Sequence, residues 1–318
     1  MKRIFVFVIV IMAAATVSFA ENYQGKKVLF INSYHEGYTW SDGITKGVRA
    51  TLDGKGIDLK IIRLDMIRNS SEEFKQQAAL NAKAVIEAFK PDVVIASDDN
   101  ASKYLIVPYF KDTKIPFVFC GINWDASVYG FPCSNVTGMI EVNDIVGLVN
   151  YLKKLSLGNK VGFIADDTLT NRKEVENYKK LFDIDVDAVF PKNFDEWKKE
   201  FIEIQKRVDH LIFYNFIAID GWNPKEALTF VRNHTKIPTG TMQDDPMPYV
   251  LIGFLKVPEE QGIWAAKTAL KILDGASPSA IPISRNQQGK LMVNLRIAEK
   301  IGVNIPYDLI QIADKVIQ

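Results

Sequence analysis

A strand–helix alternation that runs twice along the chain is the pattern that most constrains the fold. Short apolar runs, of the kind that form parallel strands covered on both faces, recur between amphipathic segments. The predicted strands cover residues 28–31, 59–64, 93–96 and 116–120 in the first series, and 160–165, 184–190, 210–216 and 237–241 in the second. Two such series without a sequence repeat predict an α/β protein with two doubly wound, Rossmann-like lobes.

The later part of the chain is predicted to return to the first lobe and then to cross again. Residues 249–255 form a predicted returning strand, followed by a helix at 258–273. No Gly/Ser-rich or charged linker marks a boundary, so several short strand-like hinges are expected. The predicted lobes are residues 21–141 plus 249–283 for lobe 1, and residues 142–248 plus 284–318 for lobe 2.

The first 20 residues have the features of a cleavable signal peptide. Lys2 and Arg3 precede an apolar run at residues 4–17, and small residues at Ser18 and Ala20 predict a cut after Ala20. This run is short for a membrane span. The product is therefore expected to be soluble and exported, in a periplasmic or extracytoplasmic location. A formal charge of +1 argues against a nucleic-acid partner.

Polar and aromatic side chains follow the predicted strands at their carboxyl ends, where open α/β sheets form a binding crevice. The first lobe offers Ser33, Tyr34, Tyr38, Trp40, Ser97, Asp98, Asp99, Asn100, Asn123 and Glu141 as ligand-binding candidates. The second lobe offers Asp166, Asp167, Thr168, Tyr214, Asn215, Gln243 and Asp244. Two structural alternatives stay open: the aspartates could only cap the helices that follow them, and the aromatic rings could pack beneath their loop.

The candidates are rich in carboxylates and nearly free of Lys and Arg. Because a buried carboxylate needs a partner, a cationic group on the ligand is its natural complement. The aromatic rings offer a stacking face or a cation–π cage, and a ligand carboxylate could rest on Ser33, Ser97 or Asn100 and on helix N-terminal amides. The expected ligand is an amino acid, aromatic for instance, or another amine-bearing compound.

Two cysteines leave the question of a disulfide open. An exported protein permits a bond between Cys120 and Cys133, and the loop between them is short. Cys120 ends an apolar strand, however, where a buried free thiol is equally ordinary.

Catalytic motifs are missing from the sequence. The three histidines, His35, His210 and His234, accompany no Gly-x-Ser-x-Gly nucleophile motif, phosphate-binding loop, dinucleotide glycine fingerprint or metal-spaced His/Cys set. We therefore expect a binding protein rather than an enzyme, with no cofactor and no metal.

Several motifs, taken together, resemble one family over the whole chain after the signal peptide. They are INSYHEGYTWSDGITKGV, DVVIASDDNAS, IPFVFCGIN, NVTGMIE, GFLKVPEEQGIWAAKTALKILDGASPSAIPI and LMVNLRIAEKIGVNIPYDLIQIADKVI. The chain resembles ABC-transporter periplasmic substrate-binding proteins of the type I fold, in the branch with tryptophan- and tyrosine-type binding proteins. The resemblance implies a monomeric clamshell that closes on a small molecule and meets an ABC permease.

The first of these motifs also resembles extracytoplasmic sensor domains of bacterial histidine kinases and diguanylate cyclases. This second resemblance implies an alternative function, a soluble ligand-sensing subunit for a membrane receptor.

Overall fold

Two separate β-sheets form the framework of the protein. The computed structural model describes residues 23–156 and 158–318, so the predicted signal peptide lies outside the described residues. The strands are β1 (Lys27–Asn32), β2 (Asp58–Arg63), β3 (Val93–Ser97), β4 (Phe117–Asn123), β5 (Val136–Glu141), β6 (Val161–Ile164), β7 (Val186–Val189), β8 (His210–Phe213), β9 (Thr239–Thr241), β10 (Ile252–Lys256), β11 (Ser284–Arg285), β12 (Gly289–Asn294) and β13 (Lys315–Ile317).

Helices connect most of these strands. They are α1 (Thr39–Leu52), α2 (Glu72–Phe89), α3 (Asp98–Ala101), α4 (Ile145–Lys153), α5 (Leu169–Phe182), α6 (Phe194–Ile204), α7 (Pro224–His234), α8 (Pro258–Leu273), α9 (Leu295–Ile301) and α10 (Tyr307–Ile312). After α3 the chain continues as a π-helical segment at Ser102–Phe110, which contains Pro108. None of the helices in the described residues is long and apolar enough to cross a membrane.

Strand order confirms the predicted two-lobed α/β fold. The first sheet runs β11-β5-β4-β3-β1-β2 with every neighbouring pair parallel. The second runs β13-β12-β10-β9-β8-β6-β7 and is parallel except between β10 and β12. Strand β1, which lies between β3 and β2, is apolar on both faces, and its residues from Val28 to Ile31 are fully buried. Such continuous burial is expected for a parallel strand covered by helices.

The position of β10 corrects one prediction from the sequence. Residues 249–255 were expected to form a strand of the first lobe, but β10 pairs with β9 and β12 in the second sheet. An apolar run indicates a buried strand without indicating which sheet edge it joins, and β9 offers β10 a parallel partner. The next crossing also comes later than expected, because Ser284 and Arg285 still pair with β5 in the first sheet.

The chain crosses between the lobes three times, and buried polar side chains hold the crossings together. The crossings follow β5, β10 and β11. Val142 donates from its backbone nitrogen to Asn286 Oδ1 at 2.8 Å, and Asn286 Nδ2 donates to the Val142 carbonyl at 3.1 Å. The Glu260 carboxylate accepts from the backbone nitrogens of Gln287 and Gln288, each at 2.9 Å. These bonds join the first crossing to the third and the third to helix α8.

The two cysteines are free thiols, so the structure does not contain the disulfide that the sequence left open. Cys120 belongs to the core on the α1 and α8 side of the first sheet, whereas Cys133 packs against the core on the opposite side. The sheet itself therefore separates the two sulfur atoms.

Helices α1 and α8 pack with almost no space between their backbones. A Cβ atom at Gly262 would lie 2.0 Å from the Ile44 carbonyl oxygen, and one at Gly47 would lie 2.3 Å from the Glu259 carbonyl oxygen. Real Cβ atoms do not approach backbone this closely. Glycine at these two positions is therefore what allows the two helices to meet.

This packing gives a prediction for Gly262→Ala. In an exposed helix the substitution would stabilise the protein, but here we expect it to lower the free energy of unfolding by about 1–3 kcal/mol because the helices must separate. Urea denaturation of the variant and of the exposed control Lys267→Ala, on the same helix, measures the difference. A Gly262→Ala variant as stable as the control would contradict the close-packing argument.

Candidate functional site

A cleft of about 1140 Å³ lies between the two lobes. Eight of the residues predicted from the sequence line it: Tyr34, Tyr38, Trp40, Asp98, Asn123, Glu141, Gln243 and Asp244. They come from the ends of four strands, β3, β4, β5 and β9, and from the loop and first helical turn that follow β1. The sequence argument that carboxyl ends of parallel strands meet at one edge therefore accounts for their assembly.

Asp98 is the most deeply buried acid of the cleft, with 3% of its surface exposed. Trp40 donates from Nε1 to Asp98 Oδ1 at 3.2 Å, while Asp98 Oδ2 has no hydrogen-bond partner within the described residues. Burial raises the pKa of Asp98 well above its ordinary value; the Ser97 and Trp40 side chains act in the opposite direction, and the carboxylates of Glu141 and Asp99 add to the rise. The cleft lining thus includes a buried carboxyl group with one oxygen that has no hydrogen-bond partner in the described residues.

Asp98 and the neighbouring Gly121 both have left-handed backbone conformations. Asp98 has φ 70°, in the left-handed region, and the neighbouring Gly121 has φ 74° where β4 shifts its register against β5. A Cβ atom at Gly121 would lie 2.9 Å from Asp98 Oδ1. Aspartate tolerates the left-handed region better than most residues, and the glycine leaves room for its carboxyl group.

Tyr34 and Tyr38 line the cleft together with Trp40, and we call these three residues the aromatic wall. The rings of Tyr34 and Tyr38 meet edge to face with centroids 5.3 Å apart. Burial raises the pKa of Tyr34, and Asp98 raises it further, so its hydroxyl stays protonated at neutral pH. The wall therefore presents ring faces and neutral hydroxyl groups to the cleft.

Glu141 is already paired inside the protein. The Lys256 ammonium bonds to its carboxylate and also lies over the Trp40 ring, with Nζ 5.4 Å from the ring centroid. Two more acids of the cleft have partners, since Asp42 pairs with Arg63 at 3.2 Å and Glu259 with Lys46 at 3.3 Å.

Two predicted serines serve the fold rather than the cleft. Ser33 is fully buried, and its hydroxyl donates to the Ser97 carbonyl at 2.6 Å and accepts from the Ala101 backbone at 3.0 Å. Ser97 is fully buried as well. Neither residue lines the cleft, because each faces the packed interior at its strand end.

Asp99 and Asn100 also lie off the cleft lining. Asp99 Oδ2 accepts from Asn123 Nδ2 at 2.8 Å, and its Oδ1 accepts from the Tyr129 hydroxyl at 2.8 Å. Asp99 thereby orients Asn123, which does line the cleft. Adjacent residues in this sharp turn point in different directions, which is why Asp98 and Asp99 have separate roles.

In the second lobe, the predicted residues after β6 and β8 are held by local contacts. Asp166 accepts from Asn171 and from the Ala218 backbone, Asp167 pairs with Arg172 at 2.7 Å, and Thr168 caps α5 by accepting from the Asn171 backbone at 3.3 Å. Asn215 accepts from the two backbone nitrogens that follow it. The aspartates do not cap the helix as the sequence alternative supposed: Thr168 is the cap of α5, and the two aspartates make loop contacts and an ion pair.

Tyr214 lies one layer behind the cleft. Its hydroxyl accepts from Gln243 Nε2 and from Asn143 Nδ2, each at 2.7 Å. Asn143 lies in the first crossing and also donates to Glu174 of α5, which accepts from Trp124 Nε1 at 3.0 Å. Trp124 follows β4 of the first lobe, so this network links the cleft, a crossing and both lobes.

The sequence argument missed several cleft residues. They are Gly37, Thr39, Asp42, Gly43, Lys46, Met242, Asp245, Leu255, Lys256, Pro258, Glu259, Lys290 and Met292. Most of them belong to α1 or follow from the placement of β10 and β12 in the second sheet. Assigning residues 249–255 to the wrong lobe hid Lys256, which ends β10 directly before a crossing.

None of the three histidines lines the cleft. His35 lies beside the aromatic wall, with Nδ1 3.5 Å from Asp65 Oδ1, and does not line the cleft. No cluster of potential metal ligands occurs in the part of the chain that the structure describes.

Two lobes of mostly parallel sheet with an aromatic and acidic cleft between them have the fold of periplasmic substrate-binding proteins. The family described as ABC transporter substrate binding protein matches residues 38–317, and the chain belongs to this family. Members bind a small-molecule substrate and have a membrane ABC permease as partner. A comparison with curated proteins finds no match.

Solved structures share this fold at low sequence identity. A ligand-free, open substrate binding protein with adhesive properties from Clostridium difficile has 17% identity and a TM-score of 0.70, over 92% of this chain and 99% of that one. An ABC domain in complex with L-Trp from Streptococcus pneumonia has 18% identity and a TM-score of 0.51, over 92% and 100%. A periplasmic ribose ABC transporter structure from Conexibacter woesei has 16% identity and a TM-score of 0.54, over 89% and 95%.

The raised pKa of Asp98 predicts how stability depends on pH. Folded Asp98 holds its proton more tightly than the unfolded chain, in which the pKa is near 3.8. The resulting stabilisation is fully present below that value and is lost as the pH rises through the folded pKa. Asp98→Asn removes this titration, so wild type should gain stability relative to the variant as the pH falls from 7 towards 4. Urea denaturation of both proteins across this range measures the gain, and parallel profiles would contradict it.

Proposed function

We propose that this chain is an exported solute-binding protein that captures an amine-bearing small molecule for an ABC importer. The observation that carries the proposal is the unpartnered Oδ2 of Asp98, a buried residue that lines the cleft beside the aromatic wall. A carboxyl group that is 3% exposed gains from a ligand ammonium, which donates to Oδ2 and stabilises the ionised form.

An amino acid supplies both an ammonium and a carboxylate, and the cleft has a place for the second group. Helices α1 and α8 both begin at the cleft, and their N-cap residues, Tyr38 and Val257, make no side-chain cap hydrogen bond. The N-terminus of α1 therefore keeps backbone N–H groups and a positive dipole end for a ligand carboxylate, whereas α8 begins with Pro258, which has no N–H. Lys290 lines the same cleft and has no ion pair within residues 23–156 and 158–318.

The aromatic wall supports a ligand with a flat or ring-shaped side chain. Trp40, Tyr34 and Tyr38 offer ring faces, and Met242, Leu255 and Met292 supply apolar surface from the second lobe. Methionine side chains adapt readily to the shape of a bound group. The structural relative crystallised with L-Trp fits this aromatic preference. We therefore propose an aromatic amino acid as the first ligand to test.

Closure of the lobes supplies the mechanism of capture. Each lobe contributes only part of the cleft lining, so a ligand makes all its contacts only when the lobes approach each other by bending at the three crossings. The closed form then presents a defined surface to the membrane permease.

Thermal unfolding of the purified protein against amino acids, amines, nucleosides and sugars tests this function. A ligand at one hundred times its dissociation constant adds about 2.7 kcal/mol to the free energy of unfolding. We expect a shift with amino acids or amines and none with sugars. A shift confined to sugars or nucleosides would contradict the proposed cargo, and a ligand that is chemically converted would indicate an enzyme.

Trp40 can then be tested with the compound that gives the largest shift. We expect Trp40→Ala to weaken binding by roughly 1–3 kcal/mol in a folded protein, because the ligand loses a ring face and Asp98 loses its donor. Trp40→Phe keeps a ring but lacks Nε1, so it should retain part of the affinity. Calorimetric titration measures both variants, and unchanged affinity in Trp40→Ala would remove Trp40 from the site.

A further inference from the structure

Lys256 occupies a position that a ligand cation would otherwise take. It is the last residue of β10, and 17% of its side chain is exposed. Its ammonium bonds to the Glu141 carboxylate and lies over the Trp40 ring, with Nζ 5.4 Å from the ring centroid. A carboxylate and an aromatic face are the two groups that bind organic ammonium ions most favourably. The protein therefore fills this cation position with its own side chain.

Asp98 provides a second candidate cation position in the same cleft, and the protein supplies no cation of its own to it. Trp40 contacts both positions, since its ring face meets Lys256 and its Nε1 donates to Asp98 Oδ1 at 3.2 Å. Asp98 Oδ2 has no partner among the residues that the structure describes. The cleft thus combines two cation positions around one indole, with Lys256 already bound in one of them.

Displacing Lys256 would be unfavourable. Its ammonium would have to leave a carboxylate whose side chain is only 10% exposed. Breaking a buried ion pair leaves an uncompensated charge, which is costly unless the incoming group replaces every contact. A ligand with one cationic group avoids this cost by binding at Asp98.

We propose that Lys256 is a specificity-determining residue that restricts the cleft to ligands with a single cationic group and excludes dicationic ones such as linear diamines. The inference rests on the proposed function, because it concerns the selectivity of the same cleft. Without the Lys256 ammonium, Glu141 and the Trp40 face accept the second ammonium of a ligand whose first ammonium binds Asp98.

Lys256→Met tests this role, because methionine keeps an unbranched apolar stem and removes the charge. Calorimetric titrations with 1,3-diaminopropane, putrescine, cadaverine and 1,6-diaminohexane cover a range of separations between the two ammonium groups. We expect Lys256→Met to bind at least one diamine ten times or more as tightly as wild type does. Lys290→Met is the matched control, since Lys290 lines the cleft without an ion pair in the described residues; it should show no such gain.

Two further variants keep the test decisive. Lys256→Gln leaves Glu141 a neutral hydrogen-bond donor, so it replaces Lys256→Met if the methionine variant does not fold, and it should also gain diamine binding. The double variant Lys256→Met/Glu141→Gln lacks the carboxylate and should lose the gain. Equal diamine affinity in wild type and both Lys256 variants, or an equal gain in Lys290→Met, would overturn the proposal.

Failure of this inference is distinguishable from failure of the proposed function. If wild type binds an amino acid or a monoamine and the Lys256 variants gain no diamine, the function stands and the role of Lys256 is wrong. If wild type binds neither amino acids nor amines, the proposed cargo is wrong whatever the variants bind.

Discussion

The two lobes depend on three short chain crossings that are held together by buried polar side chains. Asn286 bonds to both backbone groups of Val142, and Glu260 accepts from the backbone that follows Asn286. These contacts satisfy backbone groups that have no strand partner where the chain leaves its sheets, and an unsatisfied group buried there would cost free energy.

The electrostatics of the cleft follow from where the crossings lie. Glu141 and Lys256 are the residues that end β5 and β10, one on each lobe, and their ion pair joins two crossings at the base of the cleft. Most other cleft carboxylates are paired within the protein or lie in solvent. Asp98 differs because it is buried and has one oxygen without a hydrogen-bond partner in the described residues, which makes it the group with most to gain from a ligand.

Close packing determines where the helix N-termini point. Gly47 and Gly262 let α1 and α8 touch along their backbones, so both helices begin side by side at the cleft although they are far apart in sequence. One helix follows the first strand, and the other returns from the second lobe. The two helix N-termini therefore lie at the cleft, beside the aromatic wall and Asp98, because Gly47 packs on the backbone of α8 and Gly262 on the backbone of α1.

The sequence by itself determined the α/β class, the two lobes and the strand-end location of the cleft, because strand and helix periodicity and polar strand ends are local properties of the chain. It also identified Trp40 and Asp98 as cleft candidates, since Asp98 directly follows a strand and Trp40 lies at the start of the helix after the loop of β1. Only the tertiary structure decided which sheet takes β10, and with it that Lys256 neutralises Glu141. The reason is physical. An apolar run indicates that a strand is buried but not which strand it pairs with, and ion pairs form between residues that only folding brings together.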